Sequence, residues 1–282
     1  MAFHFDPITG TDEIFNNPEY INDSVIFNSI ESARTEKNYH LYSDHKNVII
    51  STSQKGQRVW IWTSSSIKDD TGKLIDICRF LCECRIPKVE IYVKPEVAGH
   101  LSDLYSLASL DINYFVKDEF SLAVFTYCGD GITAGASKPA EDEKIIRIDQ
   151  NNPQHVKFVT DFYTDCKDEF RWNDKFDRKL QEYLHMELYA LIKNNKMIAN
   201  AAIGSRTEKF IRIKSIAVLQ SERRKGYGYK MCAFAVNKIK ETDLTPMLYA
   251  HVGNTAAMAL WKKASFQLTD KLCLLKIDDP QS

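Results

Sequence analysis

The sequence predicts a mixed α/β protein made of two sheet-and-helix units in tandem, and three observations carry that expectation. Short β-branched runs alternate with segments whose apolar residues recur at helical spacing, the pattern of a mixed α/β layer. The chain has 282 residues, long for one domain and comfortable for two, since domains cluster near about 100–150 residues. Finally, the run from Gly129 to Ala140 holds three glycines and a proline and leads into acidic residues. Such a segment cannot bury apolar surface and reads as an exposed connection. The expected organisation is a first unit over 1–128, a linker over 129–143 and a second unit over 144–282.

In the first unit, Asn47–Thr52 and Arg58–Thr63 read as strands joined by the turn residues Gln54-Lys55-Gly56. Leu74, Ile77, Cys78 and Leu81 fall at i, i+3, i+4, i+7 and form one face of a helix that stops before Pro87. Val89–Val93 is a strand. Pro95 opens a helix with Val97, Leu101, Leu104, Tyr105 and Ala108 on one face. Ile112–Val116 and Ser121–Tyr127 read as a closing hairpin. No residue constellation in this half carries chemistry.

A related order returns in the second unit. Ile145–Ile148 is a strand, and a helix follows with Asn152 as its cap and Pro153 at its first position. Phe176, Leu180, Tyr183 and Leu184 mark a second helix. Glu187–Ile192 and Ile198–Ile203 form a hairpin around Lys193-Asn194-Asn195-Lys196. Arg212–Leu219 is a strand, a helix begins near Gly226, Met247–Val252 is a strand, Thr255–Ala264 a helix, and Phe266–Ile277 supplies closing strands.

Composition narrows the function classes. With 37 basic and 38 acidic residues the net charge is −1, so the clustered excess of Lys and Arg that nucleic acid demands is missing. No stretch approaches the about 18 apolar residues that span a bilayer, and Asp6, Asp12 and Glu13 replace the greasy run of a secretory signal. Seven scattered cysteines do not form a disulfide framework, and a cytoplasmic setting is expected. Cys78, Cys82 and Cys84 lie close together but have no fourth ligand at metal-site spacing. They read as a helix core face, and no metal is expected.

The segment that carries chemistry is Ile216-Ala217-Val218-Leu219-Gln220-Ser221-Glu222-Arg223-Arg224-Lys225-Gly226-Tyr227-Gly228. A strand runs into a glycine-bearing turn, and a helix leaves with Gly228, Cys232, Ala235, Val236 and Ile239 on its buried face. A helix start offers free backbone N–H groups and the positive end of the macrodipole to an anion. Glycine lets the backbone approach a pyrophosphate where a Cβ would interfere. Arg223, Arg224 and Lys225 add positive charge. A phosphate-bearing ligand is the physical expectation.

Some 25 residues later stands Asn254-Thr255-Ala256-Ala257-Met258-Ala259-Leu260-Trp261-Lys262-Lys263-Ala264-Ser265-Phe266, directly after a strand. Taken together, the two segments resemble the GNAT superfamily of acyl-CoA-dependent N-acyltransferases. Arg223, Gly226 and Gly228 match that family's pyrophosphate turn, and Asn254, Ala257, Leu260 and Phe266 match its second signature. The likeness covers 145–277 in element order, and residues 47–127 read as a degenerate GNAT-like copy without the turn.

The resemblance implies acetyl-CoA, or another acyl-CoA, as co-substrate. It assigns the backbone of Ile216, Ala217 and Val218 to the pantetheine amides, the N–H groups from Arg224 through Tyr227 to Gly228 to the pyrophosphate, and Asn254 to the pantetheine arm. It also implies direct attack of a neutral amine on the thioester, assisted by a base, by N–H donors to the oxyanion and by an acid for the thiolate. At the family's acid position stands Trp261, whose indole N–H donates a hydrogen bond but no proton near neutral pH. His251 is the first candidate base and Glu222 the second.

No carboxylate lies on the strand Arg212–Leu219; Arg212 and Lys214 stand there instead. Turned into the cleft, they would favour an acceptor bearing a carboxylate, such as an amino acid; turned outward, they are a solvated face. The expected activity is N-acetyl transfer to the amine of a small molecule or amino acid, with no nucleic-acid or membrane partner. The alternative is a catalytically inactive acyl-CoA-binding or sensing protein. Monomer and homodimer fit the sequence equally.

Overall fold

The structure, a computed structural model, describes residues 5–9, 11–23, 30, 39–53, 58–83, 88–108, 115–129, 132, 138–170 and 176–278. The Gln54-Lys55-Gly56 turn and most of the glycine-bearing linker lie outside them, as do the side chains of Cys82, Leu104 and Tyr105.

The first half contains β1 (Asp6–Pro7), α1 (Pro18–Asn22), β2 (Tyr39–Ser43), β3 (Val48–Ser53), β4 (Arg58–Thr63), α2 (Thr71–Glu83), β5 (Lys88–Val93), α3 (Pro95–Ala108) and β6 (Phe115–Tyr127). The second contains β7 (Glu143–Arg147), α4 (Pro153–Cys166), α5 (Phe176–Leu184), β8 (Glu187–Lys193), β9 (Lys196–Arg206), β10 (Phe210–Val218), α6 (Tyr227–Ile239), β11 (Thr245–His251), α7 (Thr255–Lys263) and β12 (Phe266–Asp278). Local chemistry explains the boundaries. Asn152 caps α4 by accepting from the amides of Gln154 and His155, with Pro153 at the first helical position. Asn194 and Asn195 both adopt positive φ (49° and 57°), which suits the two-residue hairpin between β8 and β9.

The described strands join one twelve-stranded sheet in the order β1-β2-β3-β4-β5-β12-β6-β11-β10-β9-β8-β7. That order reads the same from either end once β1 is matched with β7, β2 with β8, and so on to β5 with β11. The two long last strands meet at the centre, antiparallel from Phe266↔Tyr127 to Asp278↔Phe115. Each is also inserted against the other half: β6 pairs with β11, and β12 pairs with β5. The halves therefore exchange their final strands.

This exchange corrects the expected closing hairpin. Residues 115–127 form one strand that runs through the polar Lys117-Asp118-Glu119. The register steps from Asp118↔Leu275 to Phe120↔Leu274 and leaves Glu119 as a bulge residue. Ile112 and Asn113 lie outside the described residues. The closing strands after Phe266 are likewise one strand, with its own register shift between Leu268 and Asp270. A polar run inside a strand imitates a turn in sequence; a partner from the other half holds it extended.

Three apolar clusters fix the layers. One packs α2 and α3 on β3, β4 and β5 through Ile50, Ile61, Ile77, Cys78, Val97 and Leu101. A second encloses the β8–β11 region with α4, α6 and Trp261. The third seats Phe15, Tyr20 and Ile30 under the middle of the sheet against Trp62, Met247 and Leu272. Burial on this scale supplies most of the folding free energy, at about 25 cal/mol per Å² of apolar surface. Among the described residues, no helix is long and apolar enough to cross a membrane.

Candidate functional site

Strands β10 and β11 run parallel but pair over three positions only, Phe210↔Thr245, Ile211↔Pro246 and Arg212↔Met247. Beyond Arg212 they part. The other edge of β10 stays bonded to β9 as far as Val218↔Ala199. Ile216, Ala217 and Val218 thus border a gap in the sheet, where the backbone edge facing β11 lacks its strand partner. An extended ligand carrying amides can occupy such an edge as an added strand would.

The gap leads to the turn. After β10 a single 3-10 turn, Gln220–Glu222, is followed by Arg224 at φ 65° and Gly226 at φ 86°. Gly226 is the N-cap of α6 and offers no side-chain cap. A Cβ on Gly226 would meet nothing within 4 Å, so its backbone conformation, not crowding, calls for glycine. At Gly228 an added Cβ would reach Leu260 at 3.5 Å and Val218 at 3.8 Å, ordinary contacts. The amides at the start of α6 therefore face outward, uncapped, in the field of the helix dipole.

The basic residues divide their roles. Arg223 donates from Nε to the Val218 carbonyl at 3.2 Å, and its guanidinium is ion-paired with Glu169. It braces the turn against β10 and α4. Lys225 pairs with Glu222 at 3.1 Å, which occupies the second candidate base. Tyr227 turns its ring into the core, where its hydroxyl accepts from Lys193 at 2.9 Å. Lys193 and Lys230 both lie 5.6 Å from that ring, and both pair with Glu143. Burial by itself raises the Glu143 carboxyl; the Lys230 hydrogen bond, the Ala140 amide and the Lys230 charge outweigh it and hold the group at about 2. This half-buried knot ties β7, β8 and the first turn of α6 together.

The first half shows the contrast. Strands β4 and β5 also pair over three positions, Arg58↔Glu90 to Trp60↔Tyr92, and then part. The helix after β4, α2, is preceded, however, by Asp70, whose carboxylate accepts from the Lys73 amide at 3.0 Å. Its start already holds an anion belonging to the chain.

Asn254 caps α7, accepting from the Ala257 amide at 3.0 Å, while its own amide donates to the His251 carbonyl at 2.9 Å. The cap engages the side-chain oxygen of this residue of the second signature. Trp261 is 7% exposed and edge-on to Phe266 with centroids 6.1 Å apart; its Nε1 has no partner. His251 is exposed at the end of β11, opposite Leu122 of β6. Two residues before it, Tyr249 lies under the guanidinium of Arg212, 4.0 Å from ring centroid to Cζ. Lys214 goes elsewhere: it lines a cavity with His185, Glu187, Gly204 and Arg206. Sequence spacing does not signal the aromatic surroundings of Arg212, because Tyr92, Tyr183 and Tyr249 come from three separate elements. Among the described residues, no cluster of His, Cys, Asp or Glu could hold a metal.

Comparison with known proteins agrees with this geometry. Residues 156–266 match the model of the Acetyltransferase (GNAT) family. Among solved structures, a GNAT-family acetyltransferase from Colwellia psychrerythraea aligns with TM-score 0.62 at 11% identity, covering 98% of this chain and 100% of that one. A Drosophila protein aligns with TM-score 0.66 at 13% identity over 99% of both chains. A tandem GNAT protein from the clavulanic acid biosynthesis pathway aligns with TM-score 0.58 at 8% identity over 97% of both. At these identities the likeness is one of fold, and it runs the length of the chain. No curated protein matches the sequence.

Proposed function

We propose that this chain, a member of the GNAT superfamily through residues 156–266, transfers an acyl group, by default acetyl, from acyl-CoA to the amine of a small molecule or amino acid. The observation that carries this reading is the continuity of the gap between β10 and β11 with the uncapped start of α6. A pyrophosphate at Arg224–Gly228 and an amide-bearing arm along Ile216–Val218 fit that path. Arg224, exposed and without an ion pair among the described residues, adds charge beside it.

The thioester supplies an acyl carbon and a thiolate leaving group. A neutral amine attacks that carbon, the C–S bond breaks, and the amine proton leaves to a base. His251, at the open end of β11, is the residue we assign to that proton. The thiolate needs little help to depart, since thiols ionise near pH 8.5, so the buried Trp261 is no obstacle to turnover. Division into units over 1–128 and 144–282, with exchanged final strands, and a cytoplasmic setting complete the reading. The described cysteines are all free, which suits a reducing compartment.

Release of free thiol from acetyl-CoA across a panel of amines and amino acids tests the activity. Amine-dependent release supports it. Binding of acetyl-CoA without release on any acceptor would favour the second reading, a catalytically inactive acyl-CoA-binding or sensing protein.

A further inference from the structure

Arg212 is a cation without an ion-pair partner among the described residues. It is the last residue of β10 that pairs with β11, and its Nε is buried with no hydrogen-bond partner. The groups that act on its charge are the phenols of Tyr249, Tyr92 and Tyr183. Burial lowers its pKa and these rings only partly oppose that. The rings come from both halves of the chain. Tyr249 is on β11; Tyr183 is on α5 and hydrogen-bonded to Ser215; Tyr92 is on β5, stacked on Trp60 with centroids 4.0 Å apart. Burial and the neighbouring Glu90 push the Tyr92 phenol up to about 12, so it is neutral and balances no charge. Glu90 itself is held by Arg58 at 3.2 Å.

Arg212 is half-buried and its Nε is wholly buried; desolvating an unpaired guanidinium is costly, and a cation–π contact returns only about 0.5–2 kcal/mol of that cost. A protein retains such a group where a ligand completes it. The ligand must be an anion, and the planar fork of arginine suits a carboxylate. Position decides what the anion belongs to. Arg212 stands where β10 and β11 separate, next to the gap assigned to the acyl thioester. In an α-amino acid one carbon separates carboxylate from amine, which suits a cation at the head of that gap. We infer that the acceptor is an amine bearing a carboxylate, of the amino-acid class, and that Arg212 within its tyrosine surround binds that carboxylate. The inference rests on the acyltransferase reading above.

Thiol release at saturating acetyl-CoA, with glycine, alanine and glutamine each set against its carboxamide, provides the test. Each amino acid should exceed its amide by at least about tenfold in kcat/KM, the gain lying in KM, as for a hydrogen bond to a charged group. Arg212→Gln should remove this preference and Arg212→Lys restore part of it, with acetyl-CoA affinity unchanged in both. A purely structural arginine would alter stability without touching the preference. Amides accepted as well as amino acids, or a preference that survives Arg212→Gln, would overturn the inference and leave acyl transfer standing. Should no acceptor release thiol, calorimetry of the same pairs on protein loaded with coenzyme A decides it. Tighter amino-acid binding lost in Arg212→Gln upholds the inference, and equal affinities overturn it. Failure of acetyl-CoA itself to bind would sink the underlying reading, and the amino-acid titrations on the unliganded chain would still decide Arg212.

Discussion

Asp70 and Gly226 hold equivalent places in the two halves, each opening the helix that follows a splayed strand, and they leave opposite charges there. Asp70 puts a carboxylate on the Lys73 amide; Gly226 leaves the first amides of α6 uncapped. A helix start favours an anion by about 0.3–1 kcal/mol at an exposed site, and in the first half the chain's own anion has already taken that position.

The chain should therefore bind one acetyl-CoA, not two. Asp70→Ala should lower stability by about 1 kcal/mol through loss of the cap without creating a second site. Calorimetric stoichiometry and urea unfolding read the two effects; a stoichiometry of two in either protein would contradict the contrast.

Gly226 and Gly228 should respond differently to alanine. At φ 86° an alanine at 226 is strained by roughly 1–2 kcal/mol although its Cβ meets open space. At 228 the Cβ makes ordinary contacts and gains helix propensity, so the change should stay within about 1 kcal/mol. A larger loss at 228 than at 226 in urea unfolding would refute this division.

His251→Ala should reduce turnover about 10²–10⁴-fold, the usual contribution of a general base, with acetyl-CoA affinity and melting temperature nearly unchanged. Turnover that keeps its rate and pH profile would place the base elsewhere.

Glu143 titrates at about 2 in the fold, below the range near 4.3 of a free glutamate. A depressed carboxyl contributes stability that is fully present above its unfolded pKa and is lost as pH falls through the folded one. Stability from the Glu143–Lys230–Lys193 knot should thus fade between about pH 4.5 and 2. Glu143→Gln should lower the melting temperature at neutral pH and flatten that acid limb. An unchanged limb would show that the knot contributes nothing to acid sensitivity.

Much of this was legible in the sequence because it is local. The turn at Arg223–Gly228, the cap at Asn152 and the asparagine hairpin at 194–195 are decided by residues a few positions apart. The exchange of β6 and β12 was not legible. Lys117-Asp118-Glu119 looks like a turn until a strand from the other half pairs across it, and no local signal announces that partner. The surround of Arg212 was hidden for the same reason: Tyr92, Tyr183 and Tyr249 lie far apart in sequence and meet only through the sheet and α5. Sequence left Arg212 and Lys214 equal, and packing separates them, one among half-buried tyrosine rings and the other in the cavity beside Gly204.

The most direct measurement is calorimetric titration of acetyl-CoA into the unaltered chain and into Gly226→Glu, with circular dichroism to verify that both are folded. Micromolar binding to the first and none to the second is expected, because a carboxylate at 226 would set a negative charge at the proposed pyrophosphate site. Equal affinity in the two proteins, or no binding to the unaltered chain, would contradict it.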